Sequence, residues 1–212
     1  MCESLKFDFN KGGVADLVLV LNFPKVPMFV KVPKNAIVKI LQEPVVNSFW
    51  THRFTYKHSR LYSTVLSHSP SENADERLRL DHPHLPMHVD ATNHNSPKTD
   101  LLSVIASKLA ILPGHKRRDA AVTGYLEANP ELAAHAFGRG RLEIKDKSEG
   151  LAPYMYSIAI ENDQSVRYFT EKILDCFEHL TVPIYFGAPD IKNYFPEMSV
   201  VEIETLDPSG IE

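Results

Sequence analysis

The stretch from residue 154 to residue 187 reads YMYSIAIENDQSVRYFTEKILDCFEHLTVPIYFG, and its pattern decides the fold class. Residues 156–160 and 182–186 are apolar and rich in β-branched and aromatic side chains, which predicts two strands. Residues 170–180 between them place apolar side chains at helical spacing. A strand–helix–strand unit of this kind is typical of a parallel sheet, so the sequence predicts an α/β protein.

The same alternation continues upstream of this unit. Strands are predicted over residues 15–22, 36–41, 61–66, 102–107 and 133–137, and the first of them is predicted to be buried. We also predict a helix over 117–126, a short helix over 151–154, and a helical or irregular segment over 49–56. Residues 67–100 are dominated by Ser, Pro, His, Asn and Asp, which is typical of a long loop or an interdomain linker. We therefore predict two domains, residues 1–95 and residues 96–212.

Composition excludes several classes of protein. The chain has 212 residues, of which 43% are hydrophobic and 24% charged, as in ordinary globular proteins. Its net charge of −4 argues against a generally basic nucleic-acid-binding protein. The apolar runs are too short to cross a bilayer, and we see no signal peptide pattern at the start. Only two cysteines are present, so a reducing, cytoplasmic setting is expected.

The charge is unevenly divided, which draws attention to a few basic side chains. Residues 1–100 carry a net charge of +2 and residues 101–212 a net charge of −6. Within the acidic half, residues 115–118 (HKRR) form one tight basic cluster. Arginines on a single helix are usually solvated surface groups, so this cluster alone does not define a site.

Polar residues follow the predicted strands at the edge where ligands bind in open parallel sheets. Glu161 and Asn162 follow one strand, Gly187 follows the next, and the loop after the strand at 102–107 leads to Arg117 and Arg118. The helix that begins near Thr170 offers free N–H groups and a positive dipole end.

Lys172 lies in the first turn of that helix and adds a full positive charge. Arg118 and Lys172 could therefore flank a diphosphate, since arginine forms bidentate contacts with phosphate. Glu171 should point away from phosphate. It could accept hydrogen bonds from the hydroxyl groups of a nucleoside ribose, or it could merely stabilise the helix N-terminus.

Several ordered motifs in residues 101–200 resemble a known family. YFTEK at residues 168–172 is similar to the Tyr-x-Thr-Glu-Lys motif of the α1,3/4-fucosyltransferases, glycosyltransferase family 10. The supporting matches are YMYSIAIEN at 154–162, VPIYFG at 182–187, NYFP at 193–196, and Ser107, Arg117–Arg118 and FGR at 137–139 in the family's order.

The resemblance implies a fold and an activity. The fold would be two small Rossmann-like domains in a GT-B-like arrangement, with an abbreviated N-terminal half and C-terminus. The activity would be an inverting, metal-independent transfer of a sugar, fucose above all, from a GDP-sugar to a glycan hydroxyl. The partners would be that donor and an oligosaccharide or glycolipid acceptor, with peripheral membrane contact possible in principle and no nucleic acid or metal cofactor. The oligomeric state is left open.

The resemblance also assigns roles to residues. Arg118, or Arg117 one position earlier, and Lys172 would bind the diphosphate, while Glu171 would bind the ribose. Tyr168 and Thr170 would lie near the nucleotide, and Glu161 and Asn162 would line the donor sugar. These residues form the predicted donor site.

The general base of an inverting transfer should come from the other domain. The family places a glutamate in a Glu-Ser-Pro-like strand end, and Glu43-Pro44 is the best match here, without the serine. The alternative is a plain strand-end carboxylate.

Two other functions remain open at this point. A GDP-sugar-binding or glycan-binding protein of the same fold would lack turnover. A metal-dependent hydrolase would use the side chains crowded into one polar segment, namely His82, His84, His88, Asp90 and His94. A catalytic cysteine is disfavoured because Cys176 falls on the buried side of the helix at 170–180.

Overall fold

The structure is a computed structural model that describes residues 13–22, 29–33, 35–71, 75–81 and 96–206. The strands are β1 Gly13–Val14, β2 Val18–Leu21, β3 Val30–Lys31, β4 Ile37–Leu41, β5 Thr64–Ser67, β6 Leu78–Leu80, β7 Asp100–Ile105, β8 Ala136–Phe137, β9 Tyr154–Ile160, β10 Val182–Phe186 and β11 Val201–Glu202. The α-helices are α1 Val45–Lys57, α2 Pro113–Ala128 and α3 Glu171–Glu178.

The C-terminal half is built on a parallel five-stranded sheet in the order β8-β7-β9-β10-β11. The chain passes from β7 through α2 to β8 on one side, and then returns to place β9 on the other side of β7. This reversal creates a topological switch point between β7 and β9, where open α/β sheets bind their ligands.

Both faces of this sheet are covered, which explains the continuous apolar runs of β9 and β10. On one face, Val122 and Tyr125 of α2 pack with Val104 and Ile158 of the sheet. On the other face, Ile173 of α3 belongs to a second cluster whose other buried members are Leu151, Ala159, Phe169, Cys176, Tyr185, Ala188 and Ile191. The sheet therefore holds the N-terminus of each helix at the edge where β7 and β9 end.

The N-terminal half has a smaller parallel sheet in the order β2-β4-β5-β6, with α1 following β4. Its buried apolar cluster consists of Leu41, Tyr56 and Val65. The strand predicted at residues 15–22 forms as β2, but the prediction that it is buried is wrong. In the described residues β2 is an edge strand, and Leu19 and Leu21 are 43% and 45% exposed.

Other differences concern boundaries and short elements. The strand predicted at 61–66 is shifted to β5, because residues 59–61 form a 3-10 turn. The predicted helix at 151–154 is wrong, since residues 151–153 form a turn between a 3-10 helix at Lys147–Gly150 and β9. Residues 130–135 are also a 3-10 turn, which leaves β8 with two residues. The polar segment 67–100 contains β6, which its composition did not reveal.

The two sheets contact each other through their helices and loops. The Gly114 amide of α2 donates to Oδ1 of Asn47 in α1 at 3.2 Å. The rings of His68 and Tyr168 lie 5.0 Å apart across the same boundary. Residues 82–95 lie outside the described part of the chain, so the predicted domain boundary at 95/96 stays a prediction.

Candidate functional site

Glu161 follows β9 at the switch point and is fully enclosed. Its side chain is 0% exposed, and its Oε2 lies 2.8 Å from Lys172 Nζ. Thr170 donates to the same carboxylate from its amide (2.7 Å) and from its hydroxyl (2.8 Å to Oε1). A buried carboxylate needs such partners, because burying an unpaired charge is very costly. Glu161 thus links the end of β9 to the start of α3 through hydrogen bonds and an ion pair.

The start of α3 already carries an anion from the protein itself. Thr170 is the N-cap of α3. Its hydroxyl accepts one hydrogen bond from the Lys172 amide and a second, at 2.7 Å, from Lys172 Nζ. The Thr170 amide and Lys172 Nζ both point at Glu161, so an incoming phosphate would share Lys172 with this carboxylate. Glu171 is turned toward Lys147, whose Nζ lies 3.8 Å from its Oε1. The position of Glu171 relative to a bound phosphate or ribose stays a prediction.

The structure distinguishes the two arginines of α2. Arg118 is half-buried, and its Nη1 donates to Asn162 Oδ1 at 2.9 Å, while its buried Nε has no hydrogen-bond partner. Burial lowers the pKa of the Arg118 guanidinium, an effect that Glu161 and Tyr168 oppose. Arg117 is exposed and pairs with Asp163 at 3.2 Å. Of these two arginines, Arg118 alone therefore brings an unsatisfied cationic donor to the end of β9.

A close approach of backbone makes this arrangement possible. A Cβ on Gly114 would lie 2.3 Å from the Asn162 carbonyl oxygen, so only glycine lets α2 begin against the end of β9. A Cβ on Gly187 would lie 2.1 Å from the Tyr185 hydroxyl and 2.7 Å from Cγ of Glu161. Both glycines hold helix or loop backbone close to the donor-site residues.

Tyr168 lies at the boundary between the two halves. It is 1% exposed, hydrogen-bonds with Asn162, and packs against His68 of the N-terminal half. Burial raises the pKa of its hydroxyl far above the ordinary value, with a further contribution from Glu161. The hydroxyl is therefore neutral across the physiological pH range.

Glu43 follows β4 and is held through its backbone on both sides. The Gln42 and Glu43 amides donate to Asn22 Oδ1 at 2.8 and 3.1 Å. The Glu43 carbonyl accepts a hydrogen bond from His52 Nε2 at 2.9 Å and from the Ser48 hydroxyl at 3.3 Å. Its side-chain Oε2, however, is buried without a hydrogen-bond partner.

Unpartnered polar atoms from both halves occur around this boundary. Besides Glu43 Oε2 and Arg118 Nε, they include Asn47 Nδ2 and His115 Nδ1. Burial and the charge of Arg118 lower the pKa of His115, while Glu43 acts in the opposite direction and Lys172 adds to the lowering. Charged side chains of both halves therefore influence the pKa of His115. Buried polar groups in native proteins are normally satisfied, so such a set indicates a place for a polar ligand.

Sequence reasoning missed Asn22, His52 and Asn47, and it noted His115 only as part of the basic cluster at residues 115–118. Their roles depend on contacts between distant segments, and no motif marks them. For Asn22 a weak local signal exists, because Asn is one of the few residues that tolerate positive φ and Asn22 has φ of 47°.

Similarity to known proteins identifies the family. A model of glycosyltransferase family 10 (fucosyltransferase), C-terminal part, matches residues 96–209, more than half of the chain. The chain belongs to glycosyltransferase family 10. The matched region contains α2, α3 and all predicted donor-site residues.

Individual relatives match shorter stretches. The chain is 38% identical over 60 residues to an alpha-(1,3)-fucosyltransferase of Helicobacter pylori, which is 28% of this chain and 13% of that protein. It is 32% identical over 84 residues to an alpha-(1,4)-fucosyltransferase of Arabidopsis thaliana, which is 40% of this chain and 20% of that protein. The matched stretches thus span at most about a fifth of these curated family members.

Solved structures confirm the predicted fold class. An alpha1,3-fucosyltransferase with GDP superposes with a TM-score of 0.55 at 19% identity, covering 98% of this chain and 66% of that one. An alpha1,3-fucosyltransferase with GDP-fucose gives a TM-score of 0.55 at 16% identity, covering 98% and 80%. The chain therefore shares its arrangement of parallel-sheet units with these fucosyltransferases.

The sequence analysis also raised a metal site and a catalytic cysteine. Within them, no group of three His, Cys, Asp or Glu side chains could hold a metal ion. The segment with His82, His84, His88, Asp90 and His94 lies outside the described residues. Cys176 is 2% exposed, and burial raises the pKa of its thiol to about 12, as expected for a packing role.

Among the described residues, no helix is long and apolar enough to cross a membrane.

Proposed function

We propose that this chain is a glycosyltransferase that moves a sugar, fucose first among the candidates, from a GDP-sugar to a glycan hydroxyl with inversion. Family 10 membership, together with the GDP and GDP-fucose bound in the two similar solved structures, supports this class of donor. The observation that carries the proposal is the position of Arg118 and Lys172 at the end of β9, with the unpartnered Glu43 Oε2 supplied by the other half.

The donor end of the proposed site stabilises the leaving group. When the bond between the sugar C1 and the diphosphate oxygen breaks, negative charge develops on GDP. Arg118 Nε has no hydrogen-bond partner in the structure and would donate to this charge, while Lys172 would share its own charge between Glu161 and the phosphate. Fixed cations at a site that excludes water stabilise such charge strongly. The proposed transfer therefore needs no metal ion for this step.

The acceptor end supplies the base. The acceptor hydroxyl oxygen attacks C1 from the face opposite GDP, and its proton passes to the carboxylate of Glu43, which inverts the configuration. The backbone of Glu43 is bonded through both its amide and its carbonyl, so little ordering is needed when the acceptor arrives. The acceptor is a glycan, with an oligosaccharide or glycolipid as the proposed source, and the cytoplasm is the proposed compartment.

Calorimetric titration with GDP tests the donor site. We expect Arg118→Ala to weaken GDP binding by roughly 10- to 100-fold, because a charge-assisted contact with phosphate is lost. Arg117→Ala is the matched control, since Arg117 is the exposed neighbour paired with Asp163, and it should bind GDP as the wild type does. Equal losses in both variants would overturn the assignment of Arg118.

A transfer assay with GDP-fucose tests the enzyme against a binding protein of the same fold. Glu43→Gln should retain GDP binding and lose transfer by on the order of 100-fold or more, since general-base catalysis contributes this much. If the wild type binds GDP and neither transfers nor hydrolyses any GDP-sugar, the chain is a binding protein. A thermal-shift screen of nucleotide sugars identifies the donor, because bound ligand stabilises the folded state.

A further inference from the structure

Helix α1 has an apolar face that points to solvent. Trp50 is 76% exposed, Phe49 51% and Phe54 45%. Together with Arg53 and Lys57 they recur on successive turns, which places them on one side of the helix. Leu61, 60% exposed, extends this surface beyond the helix. We call these six residues the α1 face.

The opposite side of α1 is polar and buried, the reverse of an ordinary amphipathic helix. His52, Thr55 and Tyr56 face the protein, and the Tyr56 hydroxyl hydrogen-bonds with Ser67 at 2.9 Å. A surface helix normally turns its apolar side inward. The arrangement of α1 leaves three large aromatic side chains in water, which marks an interaction surface rather than a packing requirement.

The segment that forms the α1 face carries charge of one sign. From residue 44 to residue 71 the sequence contains no Asp or Glu, while it contains Arg53, Lys57 and Arg60. All three basic side chains are exposed. A groove of about 840 Å³ runs beside them, and its one acidic lining residue among those described, Asp75, is paired with Arg77 at 2.6 Å. In a chain of net charge −4, this local surface complements an anionic partner.

Aromatic side chains mixed with lysine and arginine are the composition of surfaces that enter the membrane–water interface. The rings of Trp and Phe lie at the headgroup level, while Lys and Arg keep their charges among lipid phosphates. A second copy of this chain fits less well, because an isologous contact would oppose like charges. Lysine is also depleted from the cores of protein–protein interfaces.

We propose that the α1 face docks on the surface of a bilayer containing anionic lipid. The contact is peripheral: Phe49, Trp50 and Phe54 enter the interface, while Arg53 and Lys57, with the adjacent Arg60, attract the anionic headgroups. This inference does not depend on the proposed enzymatic function. The two are compatible, since α1 begins directly after Glu43-Pro44 and docking would bring that carboxylate near a membrane surface.

Trp50 is the single tryptophan of the chain, so its fluorescence reports on this face alone. We expect vesicles of phosphatidylcholine mixed with phosphatidylserine to shift Trp50 emission to shorter wavelength, and brominated acyl chains to quench it. Pure phosphatidylcholine vesicles should bind far more weakly. Co-sedimentation with the same vesicles gives the partition coefficient independently of fluorescence.

Charge-matched variants identify the surface responsible. Arg53→Gln, Lys57→Gln and Arg60→Gln combined should lower partitioning into the anionic vesicles by on the order of 100-fold. The control removes three exposed cations of the other half, through Lys116→Gln, Arg139→Gln and Lys145→Gln, and should change partitioning much less. Comparable thermal unfolding of both triple variants establishes that each is folded.

Three outcomes would overturn the proposal. The first is equal loss in the two triple variants, which would indicate a general charge effect. The second is co-sedimentation without any change in Trp50 emission, which would place the contact elsewhere. The third is an emission shift that depends on protein concentration without vesicles, which would identify the α1 face as a contact between copies of the chain.

Discussion

At the scale of single residues, Lys172 combines a structural and a proposed functional task. Its Nζ lies 2.8 Å from the fully buried Glu161 and also donates to Thr170. Removing one partner of a buried ion pair leaves the other charge uncompensated. A loss of GDP binding in a Lys172 variant therefore has two possible causes, and stability has to be measured first.

We expect Lys172→Ala to lower the free energy of unfolding by about 3 kcal/mol, because Glu161 is left without its cation. Adding Glu161→Gln should recover part of this loss, since the neutral amide needs no counter-charge. Urea unfolding of the two single variants and the double variant measures the coupling. Additive effects would show that the ion pair contributes nothing specific. GDP titration of the double variant then tests whether Lys172 itself contacts phosphate.

Asn22 is the second residue whose role the structure reveals. It adopts positive φ, and its side chain accepts the amides of Gln42 and Glu43. We expect Asn22→Ala to lower the free energy of unfolding by about 1–3 kcal/mol, through lost hydrogen bonds and a strained backbone. Asn22→Asp keeps the acceptor and should stay within about 1 kcal/mol of the wild type. Urea unfolding measures both, and an equal loss in Asn22→Asp would refute the hydrogen-bond explanation.

At the scale of elements, the agreement between pattern and structure follows from local chemistry. The strand at 182–186 agrees with β10 at both ends, since Leu180 has positive φ just before it and Gly187 follows. The N-cap Thr170 begins α3 close to the predicted position. Residues 133–135 of the predicted strand at 133–137 belong instead to a 3-10 helix, which leaves only β8, and residues 151–153 form a turn where a helix was predicted.

Strand β4 contains a buried lysine, Lys39, whose lowered pKa leads to a prediction about how stability depends on pH. Lys39 is 2% exposed and donates to the Asn22 carbonyl, and burial lowers its pKa from 10.5 to about 8. Between these two pH values the unfolded chain binds more protons than the folded one, so stability rises with pH. The wild type should gain about 1–3 kcal/mol over this range relative to Lys39→Met. Chemical unfolding of both proteins at pH 8 and near pH 10 measures the difference, and parallel pH profiles would contradict it.

At the scale of the whole molecule, two histidines interact with Glu43, one from each half. His52 bonds to the Glu43 carbonyl, and His115 lies at the start of α2. Burial is the main cause that lowers the pKa of both imidazoles from 6.5. Above about pH 6.5, the unfolded-state pKa, the neutral imidazoles make their full contribution to stability. This contribution is lost as the pH falls through the lower pKa values of the folded state.

We therefore expect the melting temperature to fall between pH 7 and pH 5, and His52→Gln or His115→Gln to reduce this fall. A variant with unchanged pH dependence would remove that histidine from the explanation. His135→Gln is a suitable control, because His135 lies beside Tyr154 and away from the boundary between the halves. Thermal unfolding at several pH values measures the slopes.

The sequence alone was enough for the α/β class, the strand–helix–strand unit around residues 154–187, and the family. These depend on periodicity and on residues close together in the chain, where local chemistry decides the outcome. It also pointed to Arg118 and Lys172, although not to the fact that Lys172 is paired with Glu161. Their roles in a donor site remain predictions.

Only the tertiary structure decided what surrounds these residues. Asn22 and Glu43 are 21 positions apart, and Gly114 and Asn162 are 48 apart, so their contacts exist only once the sheets have formed. Edge position exposes β2 despite its apolar sequence, and the polar packing of His52 and Tyr56 turns the aromatic side of α1 to solvent. Burial and long-range pairing depend on which surfaces meet, and periodicity along one segment carries no information about the segment that covers it.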